Sequence, residues 1–203
     1  VETIDFNPSR VPKLCDGDYC YDEVLIDLLR ETLSRPSKEH RVIVLHMIGS
    51  HGPTYYRRYP EKFAKFVPDC PRSDIQNCEE AELTNTYDNT IAYTDYVLGQ
   101  IIEQLSTIPN SSMLYLSDHG ESLGEKGLYL HGFPYNLAPV EQTHVPMVYW
   151  ASKFSQPEYS DCVRSLSSHP YSHDNLFDTL LGLTNVQSST YQPTQDILRK
   201  CES

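Results

Sequence analysis

Residues 112–122 read SMLYLSDHGES, a short apolar run that passes directly into Asp118-His119-Gly120. Such a run, nearly free of charge, is typical of a strand buried on both faces of a parallel sheet. Two other segments have the same character, RVIVLHM at 41–47 and VPMVYW at 145–150. We therefore predict three buried strands, two of which lead into turns that contain histidine and glycine.

Other segments of the chain show the periodicity of helices. Apolar residues recur every three or four positions over 21–33 and again over 79–105, which predicts two helices. A third helix is predicted after Ser172 and ends at Gly182. Its expected apolar face consists of Leu176, Phe177, Leu180 and Leu181. Strands that alternate with helices indicate an α/β layer fold with a mainly parallel sheet.

The composition restricts the class of protein. The chain has 203 residues with 39% hydrophobic content, enough for one domain with a real core. Its net charge of −12 argues against a nucleic-acid partner, since phosphate neutralisation needs clustered basic residues. The Arg57-Arg58 pair is too small a cluster for that purpose. No signal peptide opens the sequence, and no stretch is long and apolar enough for a membrane helix.

The six cysteines are even in number, and four of them lie close together in sequence as CDGDYC (15–20) and CPRSDIQNC (70–78). None has the CxxC spacing of a zinc knuckle or a thioredoxin-like site. Pairs in loops fit disulfides formed in an oxidising compartment, whereas reduced cytosolic thiols are the alternative. The spacing alone leaves the connectivity open.

Three histidines lie beside glycines in turns: His51 in IGSHGP, His119 in SDHGES and His131 in LHG. Ligands of open α/β sheets bind at the carboxyl ends of the strands, where two of these turns are expected. Together with Asp118 and Glu121 they offer imidazole and carboxylate, a donor set that suits zinc better than iron or manganese, and calcium poorly. We predict a divalent metal site here.

Each of these residues also has a simpler explanation. A lone Asp-His-Gly is common in turns, and a single loop histidine is more often hydrogen-bonded than metal-bound. His46 lies inside a predicted strand and is assigned to the core or to a supporting position. The acidic residue of His173-Asp174 fits a helix start. Surface or structural positions are expected for His40, His144 and His169. It is the joint pattern of the three turns that favours a site.

Longer stretches carry a family resemblance. IGSHGPTYYRRYP (48–60), PDCPRSDIQNC (68–78) and LSDHGESLGEKGLYLHGFPY (116–135) resemble the lipid A phosphoethanolamine transferases, the group that includes the mobilised colistin-resistance enzymes. Further similar stretches, at 83–97, 142–150 and 171–183, extend the resemblance over nearly the whole chain. That family belongs to the alkaline phosphatase/sulfatase superfamily, so the resemblance implies a three-layer αβα fold.

The resemblance also implies roles for the site residues. Asp118 and His119 would hold one zinc ion tightly. His51 and His131 would act as catalytic groups that contact phosphate and can also hold a second zinc. Glu121 would lie outside the metal ligands and support them, or would itself bind the metal in some cases.

For the cysteines, the resemblance implies Cys15–Cys20 and Cys70–Cys78 disulfides. The pairing Cys162–Cys201 follows only as the remainder.

The activity implied is zinc-dependent transfer of phosphoethanolamine from phosphatidylethanolamine to a phosphate of lipid A, which confers resistance to polymyxins such as colistin. The expected location is the periplasmic face of the bacterial inner membrane, and a monomer is expected. Family members place their nucleophilic threonine, an acidic zinc ligand and a membrane-spanning domain N-terminal to the stretch present here. We therefore expect residues 1–203 to be the C-terminal portion of a single periplasmic catalytic domain, without its nucleophile.

Two alternatives remain open at this point. The chain could belong to another branch of the superfamily, as a sulfatase, phosphodiesterase or phosphoglycerol transferase. It could instead be a non-catalytic metal-binding fragment, since no threonine in it matches the nucleophile. The SHGPTYY and CPRSDIQNC segments favour the phosphoethanolamine branch.

Overall fold

The structure is a computed structural model that describes residues 2–4, 8–17, 19–37 and 40–201. It contains both helices and strands, as the α/β prediction requires. The helices are α1 (Glu23–Ser34), α2 (Glu80–Ser106), α3 (Val140–Thr143), α4 (Pro157–Leu166) and α5 (Asp174–Leu183). The strands are β1 (Cys15–Asp16), β2 (Tyr19–Cys20), β3 (Ser112–Leu116), β4 (Ser122–Leu123), β5 (Tyr129–Leu130) and β6 (Met147–Ala151).

The described strands form two-stranded pairs. β1 pairs with β2 in an antiparallel hairpin that places Cys15 opposite Cys20. β4 pairs with β5, also antiparallel, and sets Ser122 opposite Leu130. β3 pairs with β6, and these two strands correspond to the runs predicted at 112–117 and 145–150. Among the described residues, the strands therefore form three separate two-stranded sheets.

The strand predicted over 41–47 is not formed, so that prediction is wrong. Val42 is 67% exposed and Val44 is 85% exposed. A strand needs a neighbouring segment that accepts and donates its backbone hydrogen bonds. No described segment pairs with 41–47, and the sequence pattern alone could not reveal whether a partner was present.

The described chain divides into two compact units. The first lies within Val1–Arg35, Leu45–Thr107 and Met113–Tyr149. Here α1 and α2 appear where periodicity predicts them, and α2 begins with a capping box between Glu79 and Glu82. Tyr55, Tyr93 and Val97 are almost fully buried in this unit.

The buried face of α2 differs from the predicted apolar stripe. Ile91, expected in that stripe, is 46% exposed, whereas Asn89 is fully buried. Asn89 Oδ1 accepts hydrogen bonds from Lys65 N (2.8 Å) and Phe66 N (2.9 Å). Thr86 on the same face is also buried. Buried polar groups that bind backbone N–H groups stabilise the long loop before α2, and an apolar periodicity cannot detect them.

The second unit lies within Pro36–Val44, Ile108–Ser112 and Trp150–Ser203, and includes α4 and α5. The predicted apolar face of α5 is wrong in part, since Phe177 and Leu180 are 56% and 40% exposed. Asp178 and Thr179 are buried instead. Each accepts a backbone hydrogen bond from the segment 192–197, which covers this face of the helix.

All three expected disulfides are present. They join Cys15 to Cys20, Cys70 to Cys78, and Cys162 to Cys201. In the part of the chain that is described, no helix combines the length and the apolar character needed to cross a membrane.

Candidate metal centre

Three turns of the first unit bring His51, His119 and His131 together. His51 closes a turn in which its N–H donates to Ile48 O at 3.2 Å; His119 follows β3, and His131 follows β5. The ring centroids of His119 and His131 are 3.8 Å apart, and those of His51 and the other two lie at 5.8 and 5.0 Å. One ring nitrogen from each histidine lies within 4.8 Å of the others. The sequence predicted this convergence.

The hydrogen bonds of the three rings determine which nitrogen is free. His51 and His119 each place Nδ1 against the carbonyl oxygen of the glycine that follows, at 2.7 and 3.0 Å. His131 places Nδ1 against Glu121 Oε1 at 3.1 Å. Carbonyl and carboxylate oxygens only accept, so the proton is assigned to Nδ1 in all three rings. In the neutral imidazole this tautomer leaves a lone pair on each Nε2, the form in which imidazole binds a metal.

Glu121 connects two of the histidine turns. Its side chain is only 3% exposed, and Oε1 accepts a second hydrogen bond from Gly52 N at 3.1 Å. One carboxylate oxygen thereby holds the His131 ring and the residue after His51. Within the described residues, Glu121 Oε2 and the Tyr55 hydroxyl are buried without a hydrogen-bond partner. Burial raises the pKa of Tyr55, and the nearby Glu121 carboxylate raises it further.

Gly52 is required by the close packing of this corner. A Cβ atom at this position would lie 2.7 Å from Tyr55 Oη and 2.5 Å from Leu130 Cδ2. Real Cβ atoms do not approach other heavy atoms so closely. The glycine thus allows the His51 turn to approach Tyr55 and Glu121, which the sequence pattern did not indicate.

Asp118 lies beside His119 but is not one of the group whose ligand atoms converge. Its Oδ1 accepts from His119 N at 3.0 Å, and its Oδ2 is 3.8 Å from His119 Nε2. The side chain is 88% exposed. Its role as a metal ligand stays a prediction.

The donor set fits a transition metal. Three imidazoles suit zinc, and catalytic zinc sites commonly use three protein ligands and leave one position open. The His131–Glu121 hydrogen bond is the carboxylate–histidine arrangement that orients metal ligands in many proteins. A buried, partly unpartnered carboxylate is also less costly near a cation. The group of His51, His119 and His131 could therefore hold an ion.

The remaining histidines lie at the surface. His40, His144 and His169, expected at surface or structural positions, are exposed, and His173 is exposed at the start of α5. His46 is exposed as well, so its assignment to the core is wrong. The reason is that the strand expected around it does not form.

Two residues that contact the His51 turn were not predicted from the sequence. Asp22 accepts hydrogen bonds from the backbone N–H groups of Ile48 and Gly49, and Arg58 Nε donates to His51 O at 2.8 Å. Asp22 directly precedes α1, so its sequence position indicates a helix cap. No local pattern relates Asp22 to Ile48 and Gly49, which are 26 and 27 positions away.

Comparison with known proteins identifies the class to which this fold and site belong. The sulfatase family profile matches residues 2–186, so the chain belongs to the sulfatase family. Among its relatives is the phosphoethanolamine transferase EptA of Salmonella typhimurium, 50% identical over 199 residues that cover 95% of this chain and 36% of that protein. The resemblance inferred from the motifs is confirmed.

Solved structures agree with this assignment. The soluble domain of lipooligosaccharide phosphoethanolamine transferase A from Neisseria meningitidis matches with a TM-score of 0.90 at 43% identity, covering 98% of this chain and 61% of that one. The C-terminal periplasmic domain of EcEptC from Escherichia coli, in complex with Zn, matches with a TM-score of 0.71 at 25% identity, covering 90% and 52%. The predicted alkaline phosphatase-like fold is confirmed. The chain spans about a third of the length of the EptA relative.

Proposed function

We propose that this chain is the C-terminal portion of the periplasmic catalytic domain of a zinc-dependent phosphoethanolamine transferase. The donor is phosphatidylethanolamine, and the acceptor is a phosphate of lipid A. The observation that carries the proposal is the convergence of one ring nitrogen each from His51, His119 and His131, with the Glu121 carboxylate against His131 Nδ1. The names of the relatives support the reaction, and a structural neighbour bound to Zn supports the metal.

His119 and Asp118 hold the more tightly bound zinc in this proposal, and His51 and His131 can hold a second. When bound, zinc supplies positive charge to phosphate oxygens and lowers the pKa of a coordinated nucleophile. The exposure of Asp118 leaves its carboxylate free to turn toward the His119 Nε2.

The chain's own residues orient the phosphate. The oxygen of a threonine N-terminal to this stretch attacks phosphorus and loses its hydroxyl proton, the bond to the diacylglycerol oxygen breaks, and that oxygen takes up a proton. An anionic lipid A phosphate oxygen then attacks the same phosphorus, the bond to the threonine oxygen breaks, and that oxygen takes up a proton to restore the hydroxyl. His51 and His131 contact the phosphate oxygens through Nε2 and, when protonated there, donate the proton that the leaving oxygen needs.

Delivery of the substrates does not depend on long-range attraction. The net charge of −12 repels anionic lipid A, so we propose that the membrane domain of the full-length protein holds this domain, as a monomer, close to both lipids. Adding phosphoethanolamine brings an ammonium group to a lipid A phosphate and weakens the binding of cationic polymyxins. Colistin resistance follows from that change in charge.

The test uses the full-length protein that carries this stretch, produced in a polymyxin-sensitive bacterium whose own transferase genes are deleted. Mass spectrometry of lipid A is expected to show added phosphoethanolamine with the wild type and none with His119→Ala. His169→Ala, which changes an exposed histidine, is the matched control and should retain transfer. Unchanged modification with His119→Ala would contradict the proposal. Release of free phosphoethanolamine without modified lipid A would instead indicate a hydrolase. Zinc binding without either product would indicate that the protein only binds metal.

A further inference from the structure

The turn that carries His51 is held by two buried charged residues. The His51 side chain itself is exposed, so packing does little to fix it. Asp22 Oδ1 accepts from Ile48 N at 2.9 Å, and Asp22 Oδ2 accepts from Gly49 N at 2.8 Å. In addition, Arg58 Nε donates to His51 O at 2.8 Å. The backbone before and at His51 is thereby bound to groups outside the turn.

Asp22 is committed to this turn and does not cap its own helix. It occupies the N-cap position of α1, where an aspartate usually accepts a hydrogen bond from the first helical N–H groups. No such bond is formed, and both oxygens are directed to residues 26 and 27 positions further along the chain. Two successive N–H groups that bind one carboxylate fix the direction of the peptide planes between them.

Burying the charged side chains of Asp22 and Arg58 costs free energy. Asp22 is 6% exposed and Arg58 is 8% exposed, and charged side chains are rarely so buried unless they are paired. The two charges attract each other, which partly compensates for the lost hydration. A backbone segment that only needed to be anchored at the surface would not require two buried charges.

We infer that Asp22 and Arg58 are positioning residues that hold the His51 ring beside the rings of His119 and His131. This inference rests on the metal site proposed above. It predicts that loss of either residue weakens metal binding through His51, while His119 and His131, which belong to other turns, are unaffected. Outer residues that orient metal ligands typically contribute about 10- to 100-fold to metal affinity.

The experiment titrates the full-length protein that carries this stretch, purified free of metal, with Co²⁺ and follows its visible absorption, which reports both affinity and coordination geometry. Asp22→Asn keeps the size of the side chain but replaces one acceptor oxygen with an N–H donor that faces a backbone N–H. We expect the Co²⁺ binding step that uses His51 to weaken at least tenfold, with a changed spectrum. Asp178→Asn is the matched control, because Asp178 is equally buried and also accepts a backbone N–H, but in the second unit. It should lower the Tm and leave Co²⁺ binding unchanged.

A double-mutant test separates positioning from general destabilisation. In a His51→Ala background, Asp22→Asn should cause no further loss of affinity, because the carboxylate acts only through His51. Arg58→Met should behave like Asp22→Asn, with partial recovery in Arg58→Lys, and carries the test if Asp22→Asn does not fold. Unchanged Co²⁺ affinity in both variants, or an equal further loss in the His51→Ala background, would overturn the inference. A wild-type chain that bound no Co²⁺ would overturn the metal site and this inference together.

Discussion

At the scale of single residues, Glu121 has the most consequential position. One oxygen of its buried carboxylate binds the His131 ring and the Gly52 N–H, so it determines both the tautomer of one histidine and the approach of a neighbouring turn. The sequence placed this residue near the metal through the resemblance. It could not show the contact with Gly52, since that contact joins residues 69 positions apart.

Glu121→Gln is expected to weaken zinc binding by about tenfold or more, because a neutral amide polarises the His131 ring less than a carboxylate does. Competition with a chromogenic chelator measures the change. Glu80→Gln removes the same charge from an exposed position on α2 and serves as the control. Equal zinc affinity in the two variants would show that the Glu121 carboxylate does not support the site.

At the scale of elements, polar residues on the buried face of α2 determine where the preceding loop lies. The sequence predicted the helices α1 and α2 and the strands β3 and β6, because their apolar patterns are local. It did not predict the buried Asn89 or the exposed Ile91. The orientation of a helix depends on the partners it meets, and the loop that binds Asn89 has no periodic pattern.

Gly99 in the middle of α2 offers a direct test of this helix. It is exposed, and nothing lies within 4 Å of the position that a Cβ would take. Gly99→Ala should therefore raise the free energy of unfolding by about 1 kcal/mol through helix propensity. Gly52→Ala should lower it by about 1–3 kcal/mol, because the new methyl group meets Tyr55 and Leu130. Urea denaturation compares the two, and a stabilising Gly52→Ala would contradict the packing described.

The three disulfides should differ in their contribution to stability. Cys162 and Cys201 are separated by 39 residues, whereas Cys15 and Cys20 are separated by 5. From the entropy of the unfolded chain, removing Cys162–Cys201 should lower the free energy of unfolding by about 4 kcal/mol, and removing Cys15–Cys20 should lower it by about 2 kcal/mol. Double alanine variants in urea denaturation test the order. A larger loss from the short hairpin would mean that it supports the native fold by more than restricting the unfolded chain.

At the scale of the whole molecule, buried tyrosines make stability sensitive to alkaline pH. Burial raises the pKa of Tyr59 and of Tyr87 to about 12, above the value of about 10 in an unfolded chain. The unfolded state releases these protons first. The stabilisation is therefore fully present below about pH 10 and is lost as pH rises toward about 12, at no more than about 1.4 kcal/mol per pKa unit for each tyrosine.

Urea denaturation at several pH values should show a free energy of unfolding that is level just below about pH 10 and falls above it. Tyr59→Phe and Tyr87→Phe should each reduce that fall. Tyr135→Phe, which changes a tyrosine that is 85% exposed, should leave it unchanged. If the free energy of unfolding fell equally above about pH 10 in all variants, other titrating groups would be the cause.

The site as a whole was more predictable than the fold around it. His51, His119 and His131 could be grouped because each is marked by a local glycine turn, and the structure brings them together. The His51 turn also contacts Asp22, 26 and 27 positions away in sequence, and Gly52 contacts Glu121, 69 positions away. Such contacts depend on the complete tertiary packing, and a motif in one segment does not encode them.

The central claim is that His51, His119 and His131 converge on one place where a transition-metal ion meets a phosphate, with His119 as a ligand of the more tightly bound ion. Anomalous scattering at the zinc edge, from a crystal of the protein grown with zinc, tests it most directly. The account predicts the strongest peak among the three rings, about 2.0–2.1 Å from the Nε2 atom of His119. Zinc bound through Nδ1 atoms, or a site that involves none of the three histidines, would contradict it.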